Sequence, residues 1–356
     1  MKRTLLLSLF FALFCSLQAY EILILGDTHY DAPEVRKNLA SLEEKRPAEW
    51  VRNLRCWEKT IPAMLVSAGQ VASAKQAPFA IQLGDLTQGD CGAEELQVKA
   101  FENALQKLKE HIKMPLLSIK GNHDIRGAGA EQAYVKTMLP YLNEVLKQET
   151  AVPGSAHYAQ MHEKDLFIYF DSIKPDVDFV EKVLDQHQDA RHVFFSTHLP
   201  VLPCSPGRSE WIVNGWRPNN PEQRRRLVSL LARRNAIVLT AHIHRTTLLR
   251  YKSQEGEITQ LTSYSMPSVL EGKFVQSKLD GEGLWQTPGF QKAMQRKGVK
   301  ELLDEFKEQV YEYQNFTPNG GFNMLRVEEG QGYFDYYIGN AISPAHSLLL
   351  KGTAKP

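Results

Sequence analysis

The chain has 356 residues, 43% of them hydrophobic and 23% charged, with a formal net charge of +1. This is globular composition, and it excludes a disordered or fibrous chain. The near-neutral balance excludes the broad basic footprint of a protein that binds nucleic acid or an anionic membrane by bulk electrostatics.

In chain order, residues 1–19 read first, as a secretory leader. Lys2 and Arg3 form a charged start, Leu5 to Leu17 is almost wholly apolar, and Leu17-Gln18-Ala19 offers a cleavage site before Tyr20. The apolar stretch is shorter than the roughly 20 residues of a spanning helix. A strand pattern starts directly after it, so a retained anchor would have no linker. The expectation is a secreted or periplasmic protein, cleaved near Ala19, with no membrane span in the mature chain. Cys56, Cys91 and Cys204 then remain. An odd count in an exported chain permits one disulfide, with Cys56–Cys91 the candidate, or three unpaired thiols.

Apolar runs at 21–25, 79–83, 115–119, 192–196 and 236–239 predict buried strands. Helices are expected over 33–76, 93–112, about 131–148, 176–187 and 221–234. In the second of these, Leu96, Phe101, Leu105, Leu108 and Ile112 make a core-facing stripe. A hairpin is predicted over 156–161 and 166–170, and further strands at 246–252 and 257–264. Residues 199–221 hold Trp211, Asn214 and Trp216 among Pro and Gly, and read as a long ordered loop. Residues 268–320 break the rhythm with one helix at about 288–312, and read as an insertion or lid. Strands return at 322–328 and 333–338. The reading is therefore one domain over 20–340 and a C-terminal tail over 341–356. Strands alternating with helices, then added hairpins, predict an α/β fold of two mixed β-sheets flanked by helices. Arg224-Arg225-Arg226 reads as a solvated helix face, and His157 and His162 as structural.

Five motifs follow the strands directly: Gly26-Asp27-Thr28-His29, Gly84-Asp85, Gly121-Asn122-His123-Asp124, His198 and His242-Ile243-His244. Ligands gather beyond the carboxyl ends of strands in α/β folds, so these loops can meet at one point. Asp, Asn and His bind borderline metal ions, and the lack of a thiolate argues against a zinc finger or an iron–sulfur site. A decayed site usually loses a ligand, and none is missing here. His242-x-His244 alone would be a weak signal.

The motif order over about 21–265 resembles the calcineurin-like metallophosphoesterase superfamily. Its signature, D-x-H, GD, GNH(D/E), H and GHxH, is matched at every ligand position. Ala241 stands where glycine is usual. The resemblance implies a four-layer α/β/β/α sandwich holding two divalent or mixed-valence metal ions (Mn, Fe or Zn). Asp27, His29 and His244 would hold one, Asn122, His198 and His242 the other, and Asp85 would bridge them. His123 would protonate the leaving oxygen, with Asp124 orienting it. Two metals about 3.5–4 Å apart polarise phosphoryl oxygens and lower the pKa of a bridging water, and the hydroxide attacks phosphorus in line. The leaving alkoxide then takes a proton from the histidine. The expected reaction is hydrolysis of a small-molecule phosphomonoester or phosphodiester. Gln88 occupies the position of the tyrosine ligand of purple acid phosphatases. The stretch Asp85-Leu86-Thr87-Gln88-Gly89-Asp90 also lacks the Asp-Arg-Gly of Ser/Thr protein phosphatases. The alternatives are an extracellular nuclease and a non-catalytic binding protein stapled by metal. Near-neutral charge and the absence of an aromatic–basic strip speak against the nuclease. Selectivity would come from the loops at about 30–77, 199–221 and 268–320. Arg126, just after the third motif, and Trp211 and Trp216, in the second of these loops, are possible substrate contacts, each with a structural alternative.

Overall fold

The computed structural model describes residues 19–37, 48–149, 154–215, 218–267 and 273–350. The expected leader up to residue 18, Trp216, and the ends of the expected lid (268–272) and tail (351–356) lie outside the described residues. Among the described residues, no helix is long and apolar enough to cross a membrane.

Two sheets carry the fold. The six-stranded sheet runs, in spatial order, β14 (His346–Leu350), β13 (Gln331–Ile338), β12 (Gly321–Glu328), β1 (Tyr20–Leu25), β2 (Ala80–Gln82) and β3 (Leu116–Ser118). Its β1, β2 and β3 are parallel, and β12 joins β1 antiparallel. The eight-stranded sheet runs β10 (Val275–Asp280), β11 (Val310–Thr317), β8 (Thr246–Lys252), β9 (Glu257–Thr262), β7 (Ile237–Thr240), β6 (Val193–Thr197), β5 (Asp165–Phe170) and β4 (Tyr158–His162). Its centre, β5–β6–β7–β9, is parallel.

Period-two alternation splits each central strand between two cores. In β5, Phe167 and Tyr169 face the layer between the sheets, while Leu166, Ile168 and Phe170 face the outer helices. Such strands are buried on both faces, which is why they read as continuous apolar runs. Helices Ile61–Ala74, Glu94–His111 and Ala130–Leu146 contribute to the first core, and Val177–Gln186 and Pro221–Arg233 to the second. The result is two mixed sheets flanked by helices, as expected.

Several expectations need correction. The helix expected over 33–76 is a 3-10 turn, Pro33–Val35, followed by Ala48–Lys59 and Ile61–Ala74, with Pro62 starting the last. Proline is favoured in a helix's first turn and disfavoured in its interior, so one continuous helix was excluded there. The helix expected at 288–312 is three short ones, Gly281–Gln286, Pro288–Ala293 and Val299–Asp304. Beyond them, β11 pairs with β8. Buried Val310, Tyr313 and Phe316 have helix-like spacing because a register shift between Val310 and Glu312 disturbs the strand alternation. The stretch expected as a lid thus supplies an edge strand, β10, and its neighbour, β11. The expected tail supplies β14, which pairs with β13 and buries Leu348 and Leu350. Cys56, Cys91 and Cys204 are all free and buried, so the Cys56–Cys91 bridge is not formed.

Candidate metal centre

The motifs meet at the carboxyl ends of β1, β2 and β3 from one sheet and β6 and β7 from the other. The loops are tied through the backbone. The N–H groups of Thr28 and His29 donate to the Asp85 carbonyl at 3.1 and 2.9 Å, and Met266 N–H donates to that of Asp27 at 2.8 Å. Four of the ligand-type residues hold left-handed backbone: His29 (φ 43°), Asp85 (52°), His242 (67°) and His244 (57°). Such positions cost on the order of 1–3 kcal/mol each and persist where the surroundings over-determine them. Gly121 permits a close approach to Asp85. A Cβ there would stand 2.1 Å from the Asp85 nitrogen and 2.2 Å from its Oδ1.

The side chains form two clusters that share Asp85. In the first, His29 Nε2 lies 3.2 Å from His244 Nε2 and 3.8 Å from Asp85 Oδ2, and His244 Nε2 lies 3.5 Å from Asp27 Oδ2. In the second, His198 Nε2 lies 3.1 Å from Asn122 Oδ1, 3.2 Å from Asp85 Oδ2 and 3.2 Å from His242 Nδ1. Ligands about 2.0–2.2 Å from a metal stand roughly 3–3.5 Å apart at octahedral or tetrahedral angles. Five of the six separations match that spacing, and His29 to Asp85 is longer. Asp27 Oδ2 and Asp85 Oδ2 are buried with no hydrogen-bond donor, an arrangement that is costly without a cation. All seven residues expected as ligands are brought together, and the donor set fits two cations.

Electrostatics favour the neutral ligand form at three of the four histidines. Burial holds His29 and His242 well below the usual imidazole range and takes His244 down to about 3. Burial also lifts the Asp27 carboxyl to about 8. At Asp85 burial pushes upward, but His198, His123 and His29 outweigh it and hold the carboxyl well below its ordinary value. At His198 burial is outweighed by Asp85 and Asp27, which raise it to about 9.

His123 sits beside the first cluster, its ring centroid 4.7 Å from that of His29. Its Nδ1 lies 2.9 Å from the Gln88 carbonyl and its backbone N–H donates to Asp85 Oδ1 at 2.7 Å. The Gln88 carbonyl therefore fixes the imidazole, a role expected for Asp124. The Asp124 carboxylate instead accepts the N–H groups of Thr87 and Gly121, at 3.0 and 2.9 Å, and so joins the second and third motif loops. Burial raises it to about 7.

The chain matches the calcineurin-like phosphoesterase pattern over residues 20–246. It belongs to that family. Among solved structures, a dimetal phosphatase from Danio rerio is similar, at 11% identity and TM-score 0.53, covering 94% of this chain and 99% of that one. A purple acid phosphatase from yellow lupin seeds has 10% identity and TM-score 0.53, covering 93% of this chain and 53% of that one. The chain thus spans about half the length of the lupin enzyme. PhoD has 10% identity and TM-score 0.52, covering 94% of this chain and 68% of that one. At such identities the likeness is one of fold. No curated protein matches the chain.

Around this centre lie further groups, several of which sequence reading missed. Helix Ala48–Lys59 brings Glu49 Oε1 to 3.8 Å from His123 Nε2. From the same helix, Asn53 donates to Gln88 Oε1, and Trp57 Nε1 donates to the Thr28 carbonyl at 2.9 Å. Glu49, Asn53 and Trp57 recur every fourth residue, the spacing of one helix face; nothing in the sequence says that this face meets the motifs. Lys120 pairs with Asp171 in a buried contact that joins the ends of β3 and β5 across the two sheets. Arg126 lies 3.2 Å from His123 Nε2 and pairs with Asp90. Trp211 tilts over His242, ring centroids 5.0 Å apart. His157 is structural as expected. Arg224 is not solvated: it is 2% exposed and forked onto Glu305.

Proposed function

We propose that this phosphoesterase hydrolyses a small-molecule phosphate ester by in-line displacement at phosphorus. The supporting observation is two adjacent donor groups, Asp27–His29–His244 and Asp85–His198–His242, with His29 3.8 Å from Asp85 Oδ2, a buried carboxylate oxygen with no hydrogen-bond donor. Asp27, His29 and His244 would hold one ion and Asn122, His198 and His242 the other, with Asp85 common to both. When bound, two such ions polarise phosphoryl oxygens and acidify a water. The protein's own part is to fix the spacing and deliver a proton. With Nδ1 at the Gln88 carbonyl, His123 keeps Nε2 for the leaving oxygen. Asp124 and Gln88 act through the loops that carry Asp85 and His123.

The test is hydrolysis of p-nitrophenyl phosphate and bis-p-nitrophenyl phosphate after chelation, and again after adding manganese, zinc or iron. Activity restored by metal is the expected result. A protein that binds two metals and turns over neither ester would favour the non-catalytic reading.

A further inference from the structure

The rim of the site carries positive charge that the seven ligands do not explain. The 199–221 loop is anchored by buried Ile212 and Val213, and the Val213 N–H donates to the Pro200 carbonyl at 2.8 Å. The turn Pro206–Arg208 is held by Ser209 Oγ, which donates to the Ser205 and Pro206 carbonyls at 3.0 and 3.1 Å. This places the Arg208 guanidinium 4.7 Å over the Trp211 ring, which itself tilts over His242. Arg208 Nη1 lies 3.4 Å from the His242 carbonyl. Arg208 is exposed, and no carboxylate pairs with it among the described residues.

A second guanidinium comes from the first-sheet side. Arg52 lies one helical turn beyond Glu49, and its Nε and Nη2 both reach Asn53 Oδ1 at 3.2 Å. It too has no carboxylate partner among the described residues. Asn53 in turn donates to Gln88, whose carbonyl meets His123, so this helix face borders the same site. Arg126, by contrast, is neutralised by Asp90.

The ligand set contains two carboxylates, Asp27 and Asp85, so two divalent ions would leave it positive, and two unpaired guanidinium groups add to that. Such a rim complements a dianion better than a monoanion. A phosphomonoester presents three non-ester oxygens and two charges; a diester presents two oxygens and one charge. We propose that Arg208, assisted by Arg52, is a specificity residue that engages the phosphoryl oxygen a monoester has and a diester lacks, making phosphomonoesters the substrate class. This rests on the phosphoesterase reading above.

The experiment uses metal-loaded wild type, Arg208→Ala, Arg208→Lys and Arg52→Ala, with metal content and circular dichroism measured for each. Calorimetric titration with inorganic phosphate reads the anion site without turnover, and kcat/KM on the two nitrophenyl esters reads selectivity. Hydrogen bonds to charged groups predict a loss on the order of tenfold or more in phosphate affinity and in monoester kcat/KM for Arg208→Ala. The diester should change about twofold or less, and Arg208→Lys should recover part of the loss because it keeps the charge without the fork. Equal losses on both esters, unchanged phosphate affinity with metals intact, or a wild-type preference for the diester would each overturn the proposal. If wild type cleaves neither ester with any metal, the phosphoesterase reading fails, while the phosphate titration still decides whether Arg208 forms an anion site.

Discussion

His198 Nε2 stands 3.2 Å from Asp85 Oδ2, while its Nδ1 lies 2.9 Å from the Leu83 carbonyl. With Nδ1–H donated to that carbonyl, a neutral ring turns a lone pair toward a carboxylate oxygen. Two acceptors that close need a cation between them or a proton on the ring. Asn122 Oδ1 and His242 Nδ1 crowd the same nitrogen, the arrangement expected of a ligand set.

Asp85 is the shared residue, and its replacement by Asn keeps the shape while removing the charge. Asp85→Asn should weaken both metals and abolish turnover. Loss of outer-shell partners costs roughly 10- to 100-fold in metal affinity, and loss of a shared ligand should cost at least as much. Metal content by mass spectrometry and turnover with saturating metal check this. Full activity in the variant would end the mechanism proposed for the site.

His123 makes a different prediction, because its Nδ1 is taken by the Gln88 carbonyl and it is not among the seven residues assigned to the ions. His123→Ala should retain both metals and lose about 10²–10⁴-fold on esters with poor leaving groups, the usual contribution of a positioned acid. Nitrophenyl esters, whose leaving groups need little protonation, should lose far less. Equal losses on both would assign His123 to positioning and not to proton transfer.

The candidate ligands were legible because each residue type stands directly after an apolar strand, where the fold forces chain ends together. The surroundings were less so. Arg208, Arg52 and Glu49 reach the site through the packing of a loop and a helix, and no local pattern encodes that approach. Arg224 was legible in principle: it precedes Leu227, Val228 and Leu231 by three, four and seven residues, which puts it on the buried stripe of its helix. The arginine run concealed that spacing. Strand β11 was hidden by its register shift, and β14 by its half-exposed edge, where only Leu348 and Leu350 are buried.

Metal should also stabilise the fold. Four left-handed ligand residues and two donorless carboxylate oxygens are tolerated in one small region, and a bound cation relieves the electrostatic part. Linkage gives about 4 kcal/mol when free metal is 1,000 times its Kd. Thermal unfolding of chelated and metal-loaded protein should therefore differ by several degrees, with the loaded form higher. No difference at a metal concentration that restores binding would mean that the unfolded chain binds equally well.

Acid should destabilise the fold through His157, well away from the metal ligands. Its Nε2 lies 2.9 Å from the Lys174 carbonyl and its Nδ1 lies 3.3 Å from the Asp171 N–H. Both nitrogens are thus committed, one as donor and one as acceptor, in the neutral ring. Burial against Phe170 and Phe179 lowers its pKa. A proton on Nδ1 would lose the Asp171 contact and charge a buried ring. The unfolded chain binds that proton near pH 6.5, so the folded state holds fewer protons below that pH. Stability is then fully present above about pH 6.5 and declines as pH falls toward the lower folded value. Denaturant unfolding of chelated protein at pH 7.5 and 5.5 should show lower stability at the acid pH. The decline should be smaller in His157→Gln, which keeps a donor and cannot titrate. An equal decline in both proteins would place the acid sensitivity elsewhere.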